Sequence, residues 1–178
     1  MKKDVLLDVD GIIRDMVTTS IQIYKEFYNV RDRTKYNDIK VYDMSVAMPG
    51  ITDFYKFFTE HGSYIFGEAK PYKGAIEFVK QLDEIANIHI VTNQVKGTEK
   101  HTLRWIEQWK IPYNSLHFAK NKNIVKGDYL IDDYTNNLEG FSGTPVCLTR
   151  PWNSDYEGVK FDTFSEIIKY IRDQHVSR

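Results

Sequence analysis

Short apolar runs alternate along the chain with longer stretches in which apolar positions recur every three or four residues. The first run is Val5-Leu6-Leu7-Asp8-Val9, closed by Asp10-Gly11. Ile88-His89-Ile90-Val91-Thr92, Leu116-His117-Phe118, Tyr129-Leu130-Ile131 and Val146-Cys147-Leu148 follow, and each predicts a strand. Ala75, Phe78, Val79, Leu82 and Ile85 repeat at helical spacing behind Pro71 and Gly74. Thr102, Leu103, Ile106 and Trp109 form one apolar face between Thr98 and Trp109. Phe164, Ile167, Ile168 and Ile171 define a C-terminal helix, with Thr163 and Glu166 spaced for a capping box. Such alternation predicts an α/β fold with right-handed crossovers, a parallel Rossmann-like sheet flanked by helices on both faces.

One interval breaks the rhythm. About sixty residues separate the first strand from Pro71, too many for a single crossover helix. Val17, Ile21, Tyr24 and Tyr28 predict a helix over 15–31, and Phe54, Phe57 and Phe58 another over 51–60. The expectation is therefore a small helical subdomain over 15–70, inserted after the first strand, with 1–14 and 71–178 forming the core.

Composition narrows the function classes. The 178 residues carry a net charge of −1, which argues against coating nucleic acid or an anionic membrane, since both need a basic excess. With 42% hydrophobic and 28% charged residues the chain has globular proportions, not those of a disordered segment. No apolar stretch is long enough for a membrane span, and Asp4, Asp8 and Asp10 break up the N-terminus, so no signal peptide is expected. Cys147 is the sole cysteine, which excludes an internal disulfide and a thiolate metal cluster. His61, His89, His101, His117 and His175 are scattered without ligand spacing, so no zinc site is expected. These features predict a soluble, cytoplasmic protein.

In an open parallel sheet ligands bind beyond the carboxyl ends of the strands. The first strand ends Asp8-Val9-Asp10-Gly11, where alternation places Asp8 and Asp10 on one side and Val9 on the other. The second ends in Thr92-Asn93, the fourth in Asp132-Asp133, and Lys120 and Lys122 precede the fourth. Each part has an ordinary reading: Asp-x-Asp-Gly is a common strand-to-turn sequence, Asp132-Asp133 can cap a helix, and single lysines are usually solvated. Their joint placement is less ordinary. Four carboxylates at one sheet edge repel each other unless a cation sits among them, and hard oxygen ligands suit Mg²⁺.

This constellation resembles the haloacid dehalogenase-like superfamily of phosphatases. Asp8-Val9-Asp10-Gly11 matches its first motif, Thr92 its second, Lys122 its third and Asp132-Asp133 its fourth. The chain is similar in particular to the 5′(3′)-deoxyribonucleotidases, through Asp8-Val9-Asp10-Gly11 with Asp15, Pro71-Tyr72-Lys73-Gly74-Ala75, Arg104-Trp105-Ile106-Glu107-Gln108 and Leu130-Ile131-Asp132-Asp133. The ten-residue separation of Lys122 from Asp132 fits that family and favours Lys122 over Lys120. Three positions depart from its pattern: Met16 replaces an aromatic, Asn93 a serine, and Tyr134 a basic residue.

The resemblance implies a Mg²⁺-dependent phosphatase acting on nucleoside monophosphates through an aspartyl-phosphate. Asp8 is the implied nucleophile and Asp10 the acid and base. Thr92, Asn93 and Lys122 bind phosphate, and Mg²⁺ is held by Asp8, the Asp10 carbonyl and Asp133, with Asp132 behind them orienting Lys122 or a metal-bound water. Asp10 speaks for phosphatase over dehalogenase, because a departing halide needs no proton. Residues 15–70 become a cap over the nucleoside, with Phe66 stacking on the base and Met16 nearby, although Phe66 also suits the cap's own core. Three alternatives stand beside this reading: a phosphatase of another small phosphoester, one acting on a nucleic-acid 3′-phosphate, and a non-catalytic binding domain of the same fold.

Overall fold

The computed structural model describes residues 2–29 and 34–176, except for the side chains of His175 and Val176. Among these residues the strands are β1 Lys3–Leu7, β2 Ala86–Thr92, β3 Ser115–Phe118, β4 Tyr129–Asp132, β5 Thr144–Leu148 and β6 Lys160–Phe161. The α-helices are α1 Met16–Phe27, α2 Met44–Ala47, α3 Phe54–Glu60, α4 Gly62–Gly67, α5 Ala75–Ile85, α6 Glu99–Gln108, α7 Thr135–Leu138 and α8 Phe164–Val176. The strands make one sheet in the order β3-β2-β1-β4-β5-β6, and every neighbouring pair is parallel.

Period-two alternation divides the apolar residues between the faces. Val5, Leu7, Ile88, Ile90, Ile131, Val146 and Leu148 meet Phe78, Val79 and Leu82 of α5, Trp105 and Ile106 of α6, and Ile167, Ile168 and Ile171 of α8. Leu6, Val91, Leu130 and Cys147 point the other way, onto Ala119, Phe141 and Leu138 of the single-turn α7. The two layers are thus unequal, because the chain from β3 to β4 has room only for a 3₁₀ turn at Lys122–Ile124. The predicted capping box closes α8: Glu166 N donates to Thr163 Oγ1 (3.3 Å), and Thr163 N donates to Glu166 Oε2 (2.9 Å).

Helices α1 to α4 have a hydrophobic cluster of their own, built from Val17, Ile21, Tyr24, Phe57, Ile65 and Phe66 and joined by Trp152 from the loop after β5. The Asp15 carboxylate caps α1 by accepting from Thr18 N (3.1 Å). That helix stops at Phe27, with Asn29 turned to φ 50°, while the predicted helical residues 30 and 31 lie outside the described residues. The segment leaves and rejoins the core at one place. Asp15 N donates to Lys70 O (2.9 Å), Tyr72 N donates to Ile13 O (3.0 Å), and Arg14 bridges to Pro71.

Candidate active site

The first strand is shorter than its apolar run suggests. β1 ends at Leu7, and Asp8 to Asp10 continue as a loop, although Asp8 N still donates to Ile131 O (3.1 Å). Val9 is buried in the core while Asp8 and Asp10 both line a cavity of about 590 Å³. The other walls come from the loop after β2 (Asn93, Gln94, Val95), from the β3–β4 link (Lys120, Lys122), from Tyr134 and from Asn136 and Asn137 of α7, and from Met16, Tyr42, Phe58 and Phe66.

Asp8 connects the cavity to a buried carboxylate cluster, in which oxygens of Asp8, Asp132 and Asp133 lie within 4.8 Å of one another. One ammonium serves this group: Lys122 Nζ is 2.8 Å from Asp8 Oδ1 and 2.6 Å from Asp132 Oδ2. The Asp132 oxygens are otherwise engaged, Oδ1 by Tyr134 N (2.9 Å) and Oδ2 also by Asn137 Nδ2 (3.0 Å). Asp133 differs, since Trp152 Nε1 donates to its Oδ2 (2.9 Å) and its buried Oδ1 has no hydrogen-bond partner. Burial pushes the Asp8 carboxyl up to about 7 against the pull of Lys122, with Asp132 and Asp10 adding to the rise. Burial, then Asp132 and Asp8, likewise raise Asp133 well above the ordinary carboxylate range. Lys122 is raised as well, the two carboxylates outweighing its own burial. Three buried carboxylates, one ammonium and an unpartnered oxygen make a donor set that fits a hard divalent cation.

Gly11 permits this crowding. It sits at φ 79°, and a Cβ there would come within 2.2 Å of Asp133 Oδ2.

The fourth carboxylate does not join the cluster. Asp10 is gripped by the fully buried Arg14, with Nε on Oδ1 (2.7 Å) and Nη2 on Oδ2 (2.9 Å), and Gln94 Nε2 also donates to Oδ2 (2.9 Å). Thr92 ends β2 fully buried, its Oγ1 3.5 Å from Gln94 Nε2, and Asn93 beside it is exposed. Lys120 lines the cavity without entering the carboxylate cluster. Phe66 is only 3% exposed, with Phe58 on one side and the Arg14 guanidinium 5.3 Å from its ring centre. Tyr42 and Tyr134, which also line the cavity, stack with ring centres 4.1 Å apart.

Arg14, Gln94, Arg150, Trp152 and Asn153 are absent from the sequence expectation. Arg150 donates to Gly11 O (Nε, 2.6 Å) and Ile12 O (Nη2, 3.2 Å), and Asn153 Nδ2 donates to Asp133 O (2.8 Å). A signal for the last three existed, because they follow β5 at the same sheet edge as the acidic residues.

A parallel sheet with carboxylates, a lysine and a hydroxyl at its carboxyl edge defines a class. The fold is that of haloacid dehalogenase-like hydrolases: the Bacillus subtilis HAD-hydrolase YfnB, described as bound to magnesium, superposes with a TM-score of 0.64 at 13% identity, covering 96% of this chain and 98% of that one. Over residues 2–175 the chain matches the model of the "5′ nucleotidase, deoxy (Pyrimidine), cytosolic type C protein" family, and it belongs to that family of phosphoric monoester hydrolases. A 5′(3′)-deoxyribonucleotidase of Bacillus subtilis (strain 168) is 26% identical over 160 residues, covering 86% of this chain and 88% of its own. Another from Clostridium acetobutylicum is 30% identical over 158 residues, covering 83% and 82%. No helix among the described residues is long and apolar enough to cross a membrane.

Proposed function

We propose that this chain is a Mg²⁺-dependent 5′(3′)-deoxyribonucleotidase that dephosphorylates nucleoside monophosphates in the cytoplasm through an aspartyl-phosphate on Asp8. The observation that carries this reading is the Asp8 carboxylate lining a cavity of about 590 Å³, paired with Lys122 and clustered with Asp133, whose buried Oδ1 has no hydrogen-bond partner. That volume suits a nucleotide-sized ligand.

Asp8 attacks phosphorus, and the bond to the sugar oxygen breaks as Asp10 gives that oxygen a proton. Asp10 then takes a proton from the water that attacks the aspartyl-phosphate, and Asp8 is released with free phosphate. Lys122, the Thr92 hydroxyl and Asn93 hold the phosphoryl oxygens. Asp8, the Asp10 carbonyl and Asp133 would hold Mg²⁺, which neutralises charge on the phosphoryl group. Asp132 stays behind them, steadying Lys122. Residues 15–70 act as the cap over the nucleoside, with Phe66 and Met16 on the inner wall and Tyr42 with Tyr134 offering an aromatic surface.

A panel of ribo- and deoxynucleoside 5′- and 3′-monophosphates beside sugar phosphates tests the assignment. Deoxynucleotides are expected to give the highest kcat/KM, and a preference for sugar phosphates over every nucleotide would overturn it. An aromatic–base contact contributes about 1–3 kcal/mol, so Tyr42→Ala is expected to raise KM for the best nucleotide roughly tenfold. Hydrolysis of p-nitrophenyl phosphate by this variant should change far less; equal losses would show that Tyr42 only packs.

The Asp8 carboxyl gives the metal requirement a pH signature. Without a cation it ionises near 7 in the folded chain against 3.8 when unfolded, so across that interval the folded state binds the extra proton. This group's contribution to stability therefore falls as pH rises from about 4 to about 7, and a cation offsets the loss. The increase in Tm on adding millimolar Mg²⁺ is expected to be larger near pH 8 than near pH 5.5. A pH-independent increment in a thermal shift series would place the cation elsewhere.

A further inference from the structure

We infer that Arg14 is a positioning residue for Asp10, setting the orientation of the acid–base carboxylate and tying it to the helical segment 15–70. The inference rests on the phosphatase reading above.

Arg14 is 0% exposed, although a buried guanidinium is tolerated only when its charge and its N–H groups are satisfied. Here they are. Nε and Nη2 grip the two oxygens of Asp10 at 2.7 and 2.9 Å, a bidentate fork that holds the carboxylate's plane as well as its place. Nη1 donates to Phe66 O in α4 (2.7 Å) and to Thr102 Oγ1 in α6 (3.0 Å). The rings of Phe66 and Trp105 each lie 5.3 Å from the guanidinium carbon. Gln94 closes the network, donating to Asp10 Oδ2 (2.9 Å) and accepting from Thr102 Oγ1 (2.9 Å).

Two consequences follow from this geometry. Asp10 Oδ2 accepts two hydrogen bonds and Oδ1 one, and a carboxylate oxygen has two lone pairs. Oδ1 therefore has the free lone pair, and it is the atom that carries the proton to the leaving sugar oxygen and takes one from the attacking water. Secondly, Arg14 stands where the chain enters the helical segment, beside Lys70 and Pro71 where it returns, and it holds the carbonyl of Phe66 from within that segment. The orientation of Asp10 is thus referred to the seat of the segment over the cavity, not to the sheet alone.

The test is a double-mutant cycle on purified enzyme with Mg²⁺ and its best nucleotide. Arg14→Gln is expected to lower kcat about 10- to 100-fold with KM changed less than about threefold, as for a displaced acid–base group. In an Asp10→Asn background the same substitution should cost no more than about twofold further, because Arg14 acts through Asp10. Arg14→Lys should not restore kcat, since one ammonium cannot hold both oxygens. Multiplicative losses in the cycle, or full rescue by lysine, would overturn the inference while leaving the phosphatase reading in place. Wild-type protein inert toward every phosphomonoester would overturn that reading and this inference with it. If Arg14→Gln fails to fold, the Asp10→Asn/Arg14→Gln pair, which removes both charges, is compared with Asp10→Asn alone, and any loss beyond twofold counts against the inference.

Discussion

Asp8→Asn is expected to lower kcat on any phosphomonoester by about three orders of magnitude or more, because a neutral amide oxygen lacks the negative charge that makes a carboxylate nucleophilic toward phosphorus. The substitution preserves shape, so the fold should survive, and near pH 8 the metal-free protein should gain stability. Burial already raises the Asp8 carboxyl to about 7, which marks its ionised form as disfavoured by the fold when no cation is present. A neutral amide removes that repulsion from Asp132 and Asp133. Two measurements check the prediction together: single-turnover kinetics, and Tm in EDTA near pH 8. Activity within tenfold of wild type would exclude Asp8 as the nucleophile. A lower Tm in EDTA would show that the Asp8–Lys122 pair stabilises the fold more than the carboxylate crowding opposes it.

Much of this site was legible because its residues lie at the ends of apolar runs. Leu7, Ile90 and Ile131 share one face of the sheet, so Asp8, Thr92 and Asp132-Asp133 emerge together at one edge once the strands are parallel. The same logic separated Lys122 from Lys120 only with help from a family resemblance, since both lysines sit in a polar loop without periodicity. What stayed hidden depends on contacts between distant segments. Arg14 lies in a turn four residues after Asp10, and nothing local distinguishes it from a solvated arginine. Its role needs Phe66, Thr102 and Trp105, which only tertiary packing brings near. Helix α4 escaped for a related reason. It is short and has glycines at both ends, with no apolar periodicity of its own, and a Cβ on Gly62 would come within 3.1 Å of the Thr98 methyl in the neighbouring segment. Strand β6 has two residues and no apolar run, so its existence depends on the edge that β5 offers it.

Lys122→Met is expected to have the largest effect on stability. The ammonium is buried between Asp8 at 2.8 Å and Asp132 at 2.6 Å, and its removal leaves two carboxylates without their cation beside a third, Asp133. Removing one partner of a buried ion pair typically costs about 3–5 kcal/mol, which for many domains of this size is a large part of the total. The loss should depend on pH in a defined direction. Below about 7 Asp8 holds its proton in the metal-free wild type, so Lys122 has less charge to offset there and the substitution costs less. Near pH 8 Asp8 is ionised and the full penalty applies, unless Mg²⁺ takes over part of the work of the missing ammonium. Urea denaturation of wild type and variant in EDTA, near pH 5.5 and near pH 8, reads this difference directly. A loss of less than about 1 kcal/mol at the higher pH would mean that the carboxylate cluster relaxes or stays protonated without Lys122. Turnover separates the two roles proposed for the lysine: Mg²⁺ should recover most of the stability of Lys122→Met but little of its kcat, because the proposed contact of Lys122 with the phosphoryl group is lost whatever holds the carboxylates together.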